Sequence, residues 1–378
     1  MKERSALSGK RKALIACGAL LGVLLLYLSL WPVPIDPAIY EPEAIPELEG
    51  ATAPNDVLRE SELALVGQIE GPEDLTLGPD GMVYTGLLDG RIIRFSVSEA
   101  LENQETKPEL VANTGGRPLG LSFGPDGSLY VADAMKGLLQ VDLDGNVDVL
   151  STEANGVAYK FADHLDVGSD GSVYFSDASF RFGVNEYLYD LLEARPHGRL
   201  IKYDPQSKET TVLAEDLYFA NGVALSEDES YLLINETYRY RISKYWLQGP
   251  KKGTLELVAN NLPGFPDNIR RSSKGTFWVC LFTVRNPIMD RLHPHPALKK
   301  AVARLPKFLW PKPAPYGMIL EMDGNGNILR SLQDPGGQKL KEITGAVDDG
   351  QYLYTGSLHN DRIGILELSR VPDSHWQR

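Results

Sequence analysis

Cysteine is almost missing from this chain, with two residues in 378. Cys17 lies in an apolar N-terminal run and Cys280 deep in the body, which argues against a bridge, so disulfides say nothing about compartment. An excess of positive charge is missing too. Against 51 Asp and Glu stand 38 Lys and Arg, a net charge of −13, and nucleic-acid binding needs the basic footprint this composition lacks. Cysteine and histidine form no cluster, which turns attention away from zinc and copper and toward oxygen ligands. No nucleophile elbow is present; Ser169 in Gly168-Ser169-Asp170-Gly171 falls on a turn remote from the candidate site described below.

What is present begins at the N-terminus. Lys2, Arg4, Lys10, Arg11 and Lys12 precede an uncharged run from Ala13 to Trp31. As a helix that run spans about 28 Å, enough for a bilayer core. Tyr27-Leu28-Ser29-Leu30-Trp31 enters Pro32 with no small-x-small cleavage site, so the run reads as an uncleaved anchor. The basic end belongs in the cytoplasm and the body outside it, on the periplasmic, extracytoplasmic or lumenal side. The chain then divides into a cytoplasmic tail (1–12), a transmembrane signal anchor (13–31), a Pro/Glu-rich linker (32–60), a repeat domain (61–370) and a tail (371–378).

The repeat domain is built on one unit. Gly78-Pro79-Asp80-Gly81 leads to Val83-Tyr84-Thr85-Gly86, Gly124-Pro125-Asp126-Gly127 to Leu129-Tyr130-Val131-Ala132-Asp133, and Gly168-Ser169-Asp170-Gly171 to Val173-Tyr174-Phe175-Ser176-Asp177. Weaker copies surround Glu229, Gly275 and Gly350, giving successive spacings of 46, 44, 58, 46 and 75 residues. Asp-Gly turns between β-branched and aromatic runs are hairpin signals. Four strands per period is the blade of a propeller, so the expected fold is all-β, a six-bladed β-propeller behind an N-terminal transmembrane helix. The long spacings predict two insertions after second strands, at roughly 178–198 and 283–316, both on the channel-mouth face.

Eight residues before the turn position lie Glu73, Asp163, Asn221 and Asp267, the last followed by Asn268. The second blade offers Leu119. First strands line a propeller's channel, so Glu73, Asp163, Asn221, Asp267 and Asn268 are expected as a ring of oxygen donors suited to one Ca²⁺. Read alone, Asp267-Asn268 after Pro266 is equally a turn that bonds its own backbone, and a channel ion can be purely structural.

Three stretches carry a resemblance. Phe219-Ala220-Asn221-Gly222-Val223-Ala224-Leu225, Pro263-Gly264-Phe265-Pro266-Asp267-Asn268-Ile269 and Tyr354-Thr355-Gly356-Ser357-Leu358 resemble strictosidine synthase-like proteins, in particular the adipocyte plasma membrane-associated branch. Over residues 60–370 the chain is more distantly similar to paraoxonases and gluconolactonases. The resemblance implies a six-bladed propeller, a channel calcium held by Glu73, Asn221, Asp267 and Asn268, and ester or lactone hydrolysis. Three departures stand out. Asp163-His164 replaces an Asn-Asp pair whose second member helps hold a structural calcium in paraoxonases, which argues against a second ion. Leu119 stands where paraoxonases have a histidine. No glutamate near Glu342-Ile343-Thr344 aligns with that of true strictosidine synthase, which argues against alkaloid condensation.

The expected activity is therefore calcium-dependent hydrolysis of a small apolar ester or lactone, of arylesterase or lactonase type, with Asp267 or His164 as the base. The rival is a membrane-tethered binding module whose ion is structural. The insertion over 285–312 is rich in Lys and Arg and carries Leu298, Val302, Leu305, Leu309 and Trp310. It reads as a lid whose basic side, Lys299 and Lys300 included, and Trp310 could also rest on the membrane.

Overall fold

In the computed structural model, which describes residues 2–103, 106–142 and 144–371, six four-stranded antiparallel sheets surround a channel. The turns explain the repeat. Gly81, Gly127, Gly171, Gly275 and Gly350 all take a φ between 79° and 89°, the left-handed region that glycine enters freely. At four of these turns the preceding Asp fixes the hairpin locally, Asp80, Asp126, Asp170 and Asp349 accepting from the amides of Met82, Ser128, Ser172 and Gln351. At Gly275, which follows Lys274, Ser272 Oγ accepts from Thr276 N instead. In the fourth blade Glu229 adopts the same conformation at φ 52°, without glycine.

Blades 1 to 5 use four consecutive strands each, beginning at Leu75–Leu77, Pro118–Phe123, Ala162–Val167, Ala220–Leu225 and Gly264–Arg271. Blade 6 takes three, Ile343–Asp348, Tyr352–Ser357 and Ile363–Glu367, and borrows its outer strand, Glu62–Ala64, from ahead of blade 1. The ring is thus closed by hydrogen bonds between the two ends of the domain. First strands touch one another in cyclic order around the channel. The apolar cores lie between neighbouring blades: Tyr84 and Ile92 of blade 1 pack with Leu121, Val131 and Leu139 of blade 2.

Among the described residues five α-helices decorate this ring. Helix α1 (Lys2–Leu30) is not confined to 13–31; its stretch long and apolar enough to cross a membrane is Lys10–Leu30, none of it buried. A short α2 (Val97–Glu102) lies in blade 1. Helix α3 (Tyr187–Glu193) sits between the second and third strands of blade 3, and α4 (Pro287–Leu292) and α5 (Pro296–Ala303) between those of blade 5.

Residues 32–60 are extended, as their composition suggests, but they are not a free linker. Ile35 is buried, Ala38 N donates to Glu193 O, Tyr40 N to His293 O, and Arg285 Nη2 to Glu43 O. The segment is a strap laid over both insertions. Of the expected C-terminal tail only Val371 is described; 372–378 lie outside the described residues.

Candidate metal centre and pocket

Five of the six first strands carry the same irregularity near their entrance. Pairing with the second strand slips between Pro118 and Leu121, Ala162 and Leu165, Ala220 and Val223, Pro266 and Ile269, and Ile343 and Ala346. These bulges re-aim the side chains they hold. They contain Leu119-Gly120, Asp163-His164, Asn221-Gly222, Asp267-Asn268 and Thr344-Gly345, and Glu73-Asp74 occupies the matching place in blade 1. Odd blades present two side chains; even blades present one and a glycine. The glycines are steric: a Cβ on Gly120 would lie 2.6 Å from His164 Cα, one on Gly222 2.4 Å from Ile269 N, and one on Gly345 2.7 Å from Glu73 O. Even blades make room for the paired side chains of the odd ones.

All five expected ligands come to one end of the channel. Asn268 Nδ2 donates to Glu73 Oε1 at 3.0 Å, and Thr344 Oγ1 to Glu73 O at 2.6 Å. Asn235 Nδ2 donates to Asp267 O and Thr237 Oγ1 to Pro266 O, pinning the bulge that holds Asp267. What the ring lacks is a paired positive charge: the buried Arg117 acts on Glu73 and Asp163 but donates to Gly71 O. Glu73 Oε2, Asp163 Oδ2, Asn221 Oδ1 and Asn268 Oδ1 are buried with no hydrogen-bond partner among the described residues. Burial first, and the charge of Asp267 next, push the Glu73 and Asp163 carboxyls well above the usual carboxylate range. Burial likewise pushes Asp267 up to about 8. Orphaned buried acceptors each cost on the order of 1–3 kcal/mol, and several together fit a hard, oxygen-seeking cation. No three His, Cys, Asp or Glu side chains among the described residues make a closed cage by themselves. Two of the five donors here are amides, and the three carboxylates are near enough to raise one another's pKa without forming such a cage.

His164, expected as an alternative base, does not line the cavity. Its ring is fully buried, Nδ1 accepts from Val223 N at 3.0 Å, and Nε2 lies 3.5 Å from Asp74 Oδ2. It faces away from the mouth, into a layer formed with Asp74 and Arg270. Glu342 pairs with His359 Nδ1 at 2.8 Å and does not line the pocket.

Above the ring opens a cavity of about 910 Å³, open solvent at its mouth included. Glu73, Asp163, Asn221, Asp267 and Thr344 form its floor, and Leu119, Phe161, Phe219, Tyr238 and Phe265 its walls. Leu188 and Leu191 of α3, Met289 of α4 and Pro311–Pro313 roof it. Counting back eight residues missed Thr344, because the blade-6 turn stands two residues nearer its bulge and the count lands on Glu342.

Comparison with known proteins agrees with this arrangement. The strictosidine synthase family profile matches residues 163–250 and the N-terminal strictosidine synthase-like profile residues 50–95. The chain is 40% identical over 310 residues to Strictosidine synthase-like 6 of Arabidopsis thaliana, covering 81% of each. It is 37% identical over 394 residues to the adipocyte plasma membrane-associated protein of Salmo salar, covering 98% of this chain and 94% of that one. Among solved structures, a gluconolactonase from Xanthomonas campestris superposes with a TM-score of 0.58 at 15% identity, over 89% of this chain and 99% of its own. A calcium-binding regucalcin from Agrobacterium tumefaciens gives 0.55 at 14% identity, over 82% and 92%. At such identities the last two share the fold alone. The first two are more than a third identical over 81% and 98% of this chain, and the chain belongs to the strictosidine synthase-like family.

Proposed function

We propose that this protein is a membrane-anchored, calcium-dependent hydrolase of carboxylic esters or lactones. The observation that carries the reading is the juxtaposition of four orphaned ring oxygens with an apolar cavity directly above them. Glu73, Asp163, Asn221, Asp267 and Asn268 would hold the ion. When bound there, Ca²⁺ would supply the positive charge that polarises a carbonyl and stabilises an oxyanion.

The chain's own residues do the rest. Phe161, Phe219, Phe265 and Leu191 give an apolar acyl or aryl group a dry surface and orient its carbonyl toward the floor. Asp267 reaches the cavity, its backbone is pinned by Asn235 and Thr237, and it is the residue placed to take a proton from water. A structural ion alone would need no apolar chamber, and this favours the catalytic reading over a binding module. The test is turnover of phenyl acetate and simple lactones by the full chain in nanodiscs, with and without chelator. Chelator-sensitive turnover is expected. Calcium binding without turnover of any ester or lactone would leave the binding module.

A further inference from the structure

The blade-5 insertion holds the outer end of the anchor. Arg304 donates from Nε to Trp31 O at 2.5 Å and from Nη1 to Leu28 O at 2.7 Å, and Tyr27 Oη donates to Arg304 O at 2.9 Å. Leu28 O is among the carbonyls a helix leaves unpaired at its C-terminus, where a cation is favoured twice over, as donor and as charge. The membrane-length stretch ends at Leu30, so this clasp fixes the insertion at the level where the helix leaves the bilayer.

The same insertion leaves large apolar side chains uncovered: Ile288 is 63% exposed, Leu298 53%, Phe308 71% and Leu309 55%. Scattered apolar residues are ordinary on a surface; four on one short segment beside a membrane-length helix are not. Its exposed charges are basic, Arg291, Lys307 and Lys312, and its one acid, Asp290, is engaged by Arg285 and Tyr240. This local sign opposes the net −13 of the chain. Of the residues expected from sequence to face the membrane, Arg291 and Lys307 are exposed but two others are not. Trp310 is buried, donating to Leu305 O and packing edge-on to Tyr189, and Lys299 is fully buried with Nζ on Ala38 O.

We propose that the insertion is a bilayer-docking surface and that the cavity is loaded from it. Ile288, Leu298, Phe308 and Leu309 enter the boundary between head groups and acyl chains, and Arg291, Lys307 and Lys312 meet anionic head groups. Met289, Pro311, Lys312 and Pro313 belong both to this insertion and to the cavity lining, so the mouth opens beside the docked surface. The substrate class this selects is an amphiphile that partitions into the membrane, a long-chain ester or lactone rather than a water-soluble one. The chemistry rests on the hydrolase reading above; the docking does not.

The test uses the full chain in nanodiscs of phosphatidylcholine and phosphatidylglycerol, in a Cys17→Ser background where the remaining Cys280 is buried. An environment-sensitive fluorophore is placed at Ile288→Cys, at Phe308→Cys or, as control, at Lys274→Cys on the opposite turn of the same blade. Labels at 288 and 308 should shift to the blue and be quenched by lipids spin-labelled high in the acyl chain, while the label at 274 is not. Equal quenching at all three sites overturns the proposal. So does a blue shift without lipid quenching, which would mean that another protein or a second copy covers the surface. In the second arm, Phe308→Asp with Leu309→Asp should keep phenyl acetate turnover while losing about tenfold or more on a long-chain ester embedded in the disc. Equal loss on both substrates overturns the loading route. Absence of any turnover in the wild type defeats the hydrolase reading, and the quenching result still decides the docking.

Discussion

Arg270 and Asp74 form an ion pair across the channel, Nη2 to Oδ2 at 2.6 Å, directly beneath the ring of candidate ligands. The same nitrogen donates to Leu121 O at 3.0 Å and lies 3.3 Å from His164 Nε2. Burial acts to raise the Asp74 pKa, and the guanidinium overcomes it and holds the carboxyl below its ordinary value. The layer under the ring therefore already holds a cation of the protein's own.

Removing that cation alone should be expensive. Arg270→Met leaves Asp74 charged, buried and unpaired, a loss of about 3–5 kcal/mol. Adding Asp74→Asn should return most of it. Thermal or urea unfolding of the four proteins of the cycle measures the coupling, and strictly additive losses would show the pair to be incidental.

In the ring itself, one substitution should move two quantities in opposite directions. Asp163→Asn removes one of three crowded carboxylates, so the calcium-free protein should melt at a higher temperature. Calcium affinity should fall, by about 2 kcal/mol or some thirtyfold, because a full charge has become a dipole. Asp267→Ala should weaken calcium at least as much, whereas Asp170→Ala on the far turn should leave it unchanged. Calorimetry and melting curves in chelator check both signs. Unaltered calcium binding in Asp267→Ala would remove the ring as the site.

Much of this was legible in the sequence, for a physical reason. Asp80-Gly81 and its copies are obligatory turn chemistry, so blade number and the phase of the first strands follow from them. The alternation of paired side chains with glycines is also written plainly, in Gly120, Gly222 and Gly345. What the sequence hides is whatever depends on contact between distant segments. Asp163 and His164 are neighbours, yet a bulge sends one to the cavity and the other to Val223 of the next blade. Lys299 reads as a surface residue until Ala38, far away in sequence, arrives to accept from it; burial and then Arg239 push its pKa down to about 8. Closure of blade 6 by Glu62–Ala64 carries no local signature, because pairing of chain ends is a property of the ring.

Membrane sidedness is a prediction from charge. Lys2, Arg4, Lys10, Arg11 and Lys12 precede the apolar stretch, and by the positive-inside rule a spanning helix would leave them in the cytoplasm. Protease added from outside should digest the propeller and spare an N-terminal tag. A soluble mature form beginning after residue 31 would show that the anchor is cleaved.

The strap gives the last prediction. His293, at the end of α4, is fully buried with its ring edge-on to Tyr40 at 5.1 Å, and neither ring nitrogen has a hydrogen-bond partner among the described residues. Burial, then the nearby charges of Lys299, Arg239 and Arg285, hold its pKa down at about 3, against an ordinary value of 6.5. The folded protein thus keeps this imidazole neutral where the unfolded chain would protonate it. A folded pKa below the unfolded one means stability that is present above pH 6.5 and lost as the pH falls toward 3. At pH 5 the loss from this one group is about 2 kcal/mol. The raised carboxyls of the ring act with the opposite sign, so the wild type alone cannot isolate the effect, and comparison with His293→Phe can. Phenylalanine keeps the packing against Tyr40 and removes two buried unpaired nitrogens, so the variant should equal or exceed the wild type at pH 8. Its advantage should then widen by about 2 kcal/mol on going to pH 5. Urea unfolding of both proteins at the two pH values measures the difference, and an advantage that stays constant with pH would mean that His293 does not titrate against the fold.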